Sequence, residues 1–189
     1  MEMNTENILN YLETLAKTVQ WENSAIEILL IGGSAGMLTG QLLAHRVTQD
    51  CDMVYCCPPQ AQQAILAAAA KVATAYGLPP TWLNTQAMNA LPPPNGWQSR
   101  KQQIARFENL TVSAIGRLDL LAMKFYAHRP QDRQDVIAMK PSRDEIYYCR
   151  RYLDSLRVPS AKADLDQVID ALQFIDAIEE LFYGKRTSS

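Results

Sequence analysis

The chain has 189 residues, of which 48% are apolar and 20% are charged, with a formal net charge of −2 at pH 7. This composition is typical of a soluble globular protein that buries a core, and the near-neutral balance gives no overall attraction to nucleic acid. With only two histidines the sequence excludes a histidine-rich metal site, and no apolar run reaches the roughly 20 residues that a membrane-spanning helix needs.

The first residues and the cysteines favour a cytoplasmic protein with no membrane partner. The N-terminal sequence MEMNTENILN is polar and acidic, which is not the pattern of a secretory signal. Cys51, Cys56, Cys57 and Cys149 lack the spacing of zinc ligands. We therefore expect free thiols, as in a reducing compartment.

In chain order, periodicity and turn residues predict alternating helices and strands up to residue 84. A helix over 5–19 has Thr5 as its N-cap and carries apolar residues at helical spacing. The next predicted elements are a strand over 26–31, a helix over 35–45, a strand over 50–56, a helix over 60–76 that Gly77 ends, and a short strand over 81–84.

The second half begins with the loop LPPPNG (91–96), because three successive prolines fit neither a helix nor a central strand. A hairpin of strands over 104–107 and 110–115 is predicted next. Only helices follow, over 118–127, 132–139, 142–156 and 161–183. This order indicates an α+β or α/β domain over 1–116 and a helical region over 117–189.

Gly32-Gly33-Ser34 lies between a predicted strand and a predicted helix. Backbone N–H groups at a helix N-terminus can face an anion, and glycine lets phosphates approach the backbone. The Ser34 hydroxyl would add a donor. A tight structural turn explains the same residues without a ligand, and the later residues of a Walker or dinucleotide-binding motif are missing.

Asp50 and Asp52 open the strand that follows. Residues i and i+2 of a strand point to the same side, so both carboxylates address one point in space. A cation relieves their repulsion, and Mg²⁺ commonly takes one or two carboxylates together with substrate phosphates. Two solvent-facing aspartates are the alternative, but the nearby glycine turn favours a metal site.

Lys124 lies in the middle of a predicted helix that is apolar on nearly all sides. A buried ammonium needs a partner, which a phosphate or an active-site carboxylate would provide. Alternatively, the lysine stem reaches solvent. Asp132 and Asp135 lie at the start of the next predicted helix after Pro130, where the helix dipole alone also favours acids.

Two sets of cations leave alternatives open. Arg100, Lys101 and Arg106 beside the proline loop suit an acceptor or RNA contact, or simply a solvated face. Arginines also alternate with tyrosines along and just past the helix over 142–156, which suits nucleic acid, a partner protein or inward-packed tyrosines. These residues are Arg143, Arg150, Arg151 and Arg157 with Tyr147, Tyr148 and Tyr152.

The motifs IGGSA, RVTQDCDMV, GLPPTWLN and LDLLAMKFYAHRPQDRQDV together resemble the DNA polymerase β-like nucleotidyltransferase superfamily. Within it, the chain is similar to the bacterial nucleotidyltransferase-like branch related to abortive-infection toxins, over roughly residues 25–140. The resemblance implies an α+β fold with a small mixed sheet flanked by helices and a helical C-terminal region. Its implied catalytic residues are Asp50, Asp52 and Lys124, with Asp50 and Asp52 as metal ligands. Its implied nucleotide-binding residues are Gly32, Gly33, Ser34, Arg46, Arg129, Asp132 and Asp135.

The same resemblance implies Mg²⁺-dependent transfer of a nucleoside monophosphate from a nucleoside triphosphate to a hydroxyl of RNA, protein or a small molecule. It also implies a toxin–antitoxin or phage-defence setting with a cognate partner protein. The superfamily usually adds a third carboxylate from a later strand, but the strand over 110–115 has Thr111 and Ser113 and no acid, and Glu108 just before it is poorly placed. The alternative is therefore an inactive nucleotide-binding module, or an antitoxin that acts by protein contact.

Overall fold

The computed structural model describes residues 2–21, 24–89, 93–158 and 163–184. These residues contain eight α-helices and five β-strands. The helices are α1 (Thr5–Thr18), α2 (Gly32–Leu38), α3 (Gln62–Tyr76), α4 (Trp97–Arg100), α5 (Arg117–Ala127), α6 (Pro130–Met139), α7 (Arg143–Ser155) and α8 (Leu165–Tyr183). The strands are β1 (Ile26–Ile31), β2 (Cys51–Cys57), β3 (Leu83–Asn84), β4 (Gln102–Phe107) and β5 (Leu110–Ala114). The predicted α+β class, with a small mixed sheet, flanking helices and a helical C-terminal region, is confirmed.

The chain divides into two compact units. The first comprises residues 1–90 and 98–115 and contains the whole sheet. The second comprises residues 91–97 and 116–189 and contains helices α5 to α8.

The five strands form one mixed sheet in the order β3-β2-β1-β5-β4. Strand β1 pairs antiparallel with β2 and parallel with β5. Strands β4 and β5 form the predicted antiparallel hairpin. Because β1 and β2 run in opposite directions, the end of β1 lies beside the start of β2, with Ile31 paired to Asp52.

One face of the sheet forms the core of the first unit. Ile26, Ile28 and Leu30 of β1 alternate along the strand and are almost completely buried. The apolar faces of helices α1 and α3 are also buried, and the two helices contact each other. The Trp82 indole joins this core and donates a hydrogen bond of 2.9 Å to the Ala69 carbonyl.

The other sheet face carries polar side chains beside buried apolar ones such as Leu29. Residues paired across neighbouring strands share a face, and the register pairs Glu27 with Thr111, Leu29 with Ser113 and Ile31 with Asp52. This face therefore holds the Asp52 carboxylate of the predicted site. It also holds the only acid of β1, Glu27.

Two predictions near the N-terminus are wrong in detail. The helix expected over 35–45 is α2, which begins at Gly32 and ends at Leu38, because Gly40 takes a left-handed φ of +68° and the chain leaves the helix. The N-cap of α1 is Asn4 rather than Thr5, since the Asn4 side chain accepts a hydrogen bond of 2.8 Å from the Asn7 amide.

The remaining predicted elements are present where the structure describes them, most with ends shifted by up to two residues, and the short helix α4 was not predicted. Residues 93–96 of the proline loop form neither helix nor strand, while 91 and 92 lie outside the described residues. The helix expected from 161 begins at Leu165 with Asp164 as its N-cap, and 161 and 162 are also outside the described residues. All four cysteines are free, as expected. No described helix is long and apolar enough to cross a membrane.

Candidate functional site

The segment before β2 is held in place by the N-terminal residues. Met3 and Thr48 exchange two backbone hydrogen bonds, of 2.7 and 3.0 Å. The Thr48 hydroxyl in turn donates to the Asp50 carbonyl at 3.2 Å. These contacts anchor the backbone of Asp50 immediately before the strand, which begins at Cys51 rather than at Asp50 as predicted.

Asp50 and Asp52 flank a buried cysteine. The Cys51 side chain is fully buried, and this burial raises the pKa of its thiol to about 12. Asp50 is exposed and Asp52 is half-buried. The alternation agrees with a strand pleat that turns Cys51 into the core and the two carboxylates away from it.

The glycine turn lies directly against Asp52. Gly32 has a left-handed φ of +69°, and a Cβ atom added there would lie 3.0 Å from the Asp52 Oδ2 atom. A Cβ added at Gly33 would lie 3.3 Å from the Thr48 hydroxyl and 3.5 Å from the Arg46 Nη2 atom. The structure therefore brings together four of the predicted site residues, namely Gly32, Gly33, Arg46 and Asp52.

Ser34 is placed differently from the sequence expectation. Its side chain is almost completely buried, and its hydroxyl donates to the Ile31 carbonyl at 3.2 Å. The hydroxyl is therefore used inside the fold, where it holds the first turn of α2 against the end of β1. The sequence predicted that this hydroxyl would donate to a phosphate, whereas here it donates to the Ile31 carbonyl.

We expect Gly32→Ala to lower the free energy of unfolding by about 1–3 kcal/mol, since the left-handed backbone disfavours alanine and the Asp52 carboxylate must also move. Gly40→Ala is the matched control, because Gly40 has a φ of +68° at the other end of α2 and no atom within 4 Å of an added Cβ. Urea unfolding of both variants separates the two causes. Equal losses would mean that the Gly32 contact with Asp52 adds nothing beyond backbone strain.

The donor set fits Mg²⁺ as far as the protein supplies it. Asp50 and Asp52 offer hard carboxylate oxygens, and the absence of a Cβ at Gly32 lets the Asp52 carboxylate lie against the turn. In the part of the chain that the structure describes, no three histidine, cysteine or acidic side chains are grouped as a metal site. Two carboxylates plus substrate phosphates are nevertheless a common arrangement for this ion.

The strand expected to carry a third acid carries Ser113 on the Asp52 face. The Ser113 hydroxyl donates to the Glu27 carboxylate at 2.6 Å, and the Lys101 ammonium donates to the same oxygen. Burial raises the pKa of Glu27, but these two partners outweigh it and lower the pKa overall. Glu27 precedes Ile31 by four residues, or about 13 Å along the strand. It is therefore not a neighbour of the Asp52 carboxylate.

Lys124 is the centre of a buried charge cluster in the second unit. Its side chain is only 4% exposed, so the ammonium is buried and the alternative, that its stem reaches solvent, is wrong. The ammonium donates to Asp132 Oδ1 at 3.1 Å and to Asp135 Oδ2 at 2.6 Å. Both aspartates are buried, so the first two turns of α6 supply the partners that the lysine requires.

Further donors complete this cluster. Arg129 Nε donates to Asp132 Oδ2 at 2.7 Å, and Gln131 donates to Asp135 Oδ1 at 3.2 Å. Burial raises the pKa of Asp132, but the Arg129 and Lys124 partners outweigh burial and lower the pKa overall. The structure thus brings Lys124, Arg129, Asp132 and Asp135 together, as a set whose charges are satisfied by one another.

Sequence reasoning missed three residues that make polar contacts near the predicted site residues or within the same two units. Thr48 contacts the glycine turn, although its only signal is its place two residues before Asp50. Glu27 accepts hydrogen bonds from Ser113 and Lys101, and its signal was its place as the single acid of an apolar strand. Asp119 is fully buried and accepts a hydrogen bond of 3.0 Å from the Tyr148 hydroxyl. An acid in a helix this apolar was the available signal.

Comparison with known proteins gives one match. A family model described as "nucleotidyltransferase of unknown function (DUF6036)" matches residues 7–143, a range that contains every predicted site residue. No match was found among curated proteins or among solved structures.

Proposed function

This chain belongs to that family of nucleotidyltransferases, and from its membership we propose that it moves a nucleoside monophosphate from a nucleoside triphosphate to a hydroxyl acceptor, with Mg²⁺. The observation that supports this most directly is the approach of Asp52 to Gly32, where an added Cβ would lie 3.0 Å from the carboxylate oxygen. The proposed metal ligand Asp52 and the glycine turn are thereby adjacent.

Each of the proposed site residues has a task that its position permits. Asp50 and Asp52 would hold Mg²⁺, which supplies positive charge against the phosphates. Gly32 and Gly33 lack side chains, which lets Asp52 and Arg46 lie against the turn, and the Arg46 guanidinium would pair with a phosphate bound there. The acceptor hydroxyl oxygen would bond to the α-phosphorus as the bond to pyrophosphate breaks and the hydroxyl proton passes to a base.

The Lys124 cluster enters this proposal through the family resemblance. Lys124 and Arg129 would contact phosphate, and Asp132 and Asp135 would position the lysine. The structure adds one condition, because the ammonium already has two carboxylate partners. A phosphate would therefore share the lysine with these carboxylates or replace one of them.

The setting of the reaction is also part of the proposal. The acceptor would be RNA, a protein side chain or a small molecule, and the activity would serve a toxin–antitoxin or phage-defence system with a cognate partner protein. The four free cysteines agree with a reducing cytoplasm.

A second candidate function is nucleotide binding without catalysis, or an antitoxin that acts by protein contact. The specific observation that favours it is Ser113, which occupies β5 on the Asp52 face where the superfamily usually has an acid. The Glu27 carboxylate that contacts Ser113 is committed to Lys101.

One assay separates these candidates. The protein is incubated with each labelled triphosphate, Mg²⁺ and cell extract, and label on macromolecules and small molecules is measured with and without a chelator. We expect transfer that the chelator abolishes and added Mg²⁺ restores. Transfer that resists the chelator would contradict the metal-dependent mechanism. Binding of labelled triphosphate with no transfer under any condition would establish the inactive module instead.

A further inference from the structure

Helix α7 has two faces of different chemistry. Ile146, Cys149 and Leu153 are buried on one face, as expected for residues three and four positions apart. Arg150 belongs to the same face and donates to Glu179 of α8 at 3.1 Å. This side of α7 is therefore committed to packing within the second unit.

The opposite face of α7 lines a cavity. Tyr147, Tyr148, Arg151 and Tyr152 form its wall together with Pro94 of the proline loop, and its volume is about 350 Å³. All of these residues belong to the second unit. The volume lies within the usual range for small-molecule sites, about 300–1,000 Å³.

The aromatic rings of this wall are held in different ways. Tyr148 is fixed by the hydrogen bond from its hydroxyl to the buried Asp119. Tyr147 is 61% exposed, and the Arg151 guanidinium carbon lies 5.9 Å from its ring centroid. The expectation that the helix packs its tyrosines inward is therefore wrong for Tyr147, whose ring is available for contact.

The charge of the wall is positive. Arg151 is its only charged residue, and among residues 2–21, 24–89, 93–158 and 163–184 no carboxylate lies within ion-pair distance of it. Arg157, near the end of the same helix, differs because it pairs with Asp154 at 3.7 Å. The cavity thus joins stacking surfaces with an uncompensated cation.

We propose that this cavity binds an unpaired nucleotide of a single-stranded nucleic acid, with its base on Tyr147 and its phosphate on Arg151. Unpaired bases stack on tyrosine rings and guanidinium planes, and an adjacent cation draws the backbone. A ligand that is both planar and anionic would stack on the Tyr147 ring and pair with the Arg151 guanidinium. The further identification of this nucleic acid as the acceptor of the nucleotide rests on the proposed function, whereas its binding to the cavity does not.

The test measures binding of labelled oligonucleotides of about 12 nucleotides to the full chain by fluorescence anisotropy, with RNA and DNA of one sequence in parallel. We expect Tyr147→Ala to weaken binding between about fivefold and about a hundredfold, and Tyr147→Phe to keep it. Arg151→Ala should weaken binding and lower the slope of log affinity against log salt by about 0.7. The inference requires that Tyr147→Ala weaken the binding of the RNA, the DNA or both.

Two controls define what would overturn the inference. Arg157→Ala removes the same charge from the end of the helix, so an equal loss in that variant would show general electrostatic attraction and no site. The double variant Asp50→Asn/Asp52→Asn should bind as the parent does, even if nucleotide transfer is never detected. Absence of oligonucleotide binding to the parent would overturn the inference, and crosslinking of a protein segment to Tyr147 would then identify a protein-docking face.

Discussion

Lys124→Met is expected to lower the free energy of unfolding by about 3–5 kcal/mol at pH 7, because it leaves two buried carboxylates without their shared cation. Asp132 keeps the charged Arg129 donor at 2.7 Å, and Asp135 keeps the neutral Gln131 donor at 3.2 Å. The measurement is guanidinium or urea unfolding of the variant and the parent.

Lys17→Met is the matched control for this variant. Lys17 also pairs with a carboxylate, that of Glu13 at 2.7 Å, but both side chains are largely exposed. Exposed pairs contribute about 0–1 kcal/mol, so this substitution should change stability little. A loss below about 1 kcal/mol for Lys124→Met would show that the buried cluster does not stabilise the fold.

The pH dependence of the free energy of unfolding follows from the direction in which its partners shift the pKa of Asp132. In the parent the pKa of Asp132 is lowered by its partners, so its contribution is present above the ordinary aspartate pKa of about 3.9 and lost as pH falls through the folded value. In Lys124→Met the Asp132 carboxylate loses one of its two cationic partners, so its pKa is lowered less than in the parent. The difference in stability between variant and parent should therefore shrink from pH 7 towards pH 4.

The double variant Lys124→Met/Asp135→Asn should recover part of the stability that Lys124→Met loses at pH 7.

The strands could be predicted well because their signal is local. The apolar run of β1 has the predicted bounds of 26–31, and strands β4 and β5 pair on either side of the predicted turn at Glu108. Helix α2 could not be predicted in the same way, since glycines begin and terminate it through backbone conformation. Apolar periodicity beyond Gly40 suggested a longer helix, and tertiary context overrode it.

The candidate site was predictable in its residue types but not in its contacts. A buried lysine had to have a partner, yet the choice of Asp132 and Asp135 depends on the left-handed turn at His128 between α5 and α6. The place of Thr48 depends on its pairing with Met3, which is distant in sequence. Such long-range pairings leave no local pattern, so sequence reasoning found the aspartates and missed the residue that anchors them.

Asp52→Asn is expected to lower nucleotide transfer by at least about 10²–10³-fold, since it removes a charged ligand where the reaction accumulates negative charge. Because Asp50 and Asp52 would act on one ion, Asp50→Asn/Asp52→Asn should be little worse than Asp52→Asn alone. The measurement is initial transfer rate at saturating Mg²⁺. The control is Asp154→Asn, which changes an exposed aspartate of α7.

Stability should move in the opposite direction from activity at this site. Two neighbouring carboxylates repel each other, so Asp50→Asn, which removes one charge of the pair, should unfold at the same or a slightly higher urea concentration than the parent. Mg²⁺ should therefore stabilise the parent against urea more than it stabilises Asp52→Asn. Equal stabilisation of both proteins by Mg²⁺ would place the metal elsewhere, because an ion held by Asp52 cannot bind equally well without its carboxylate.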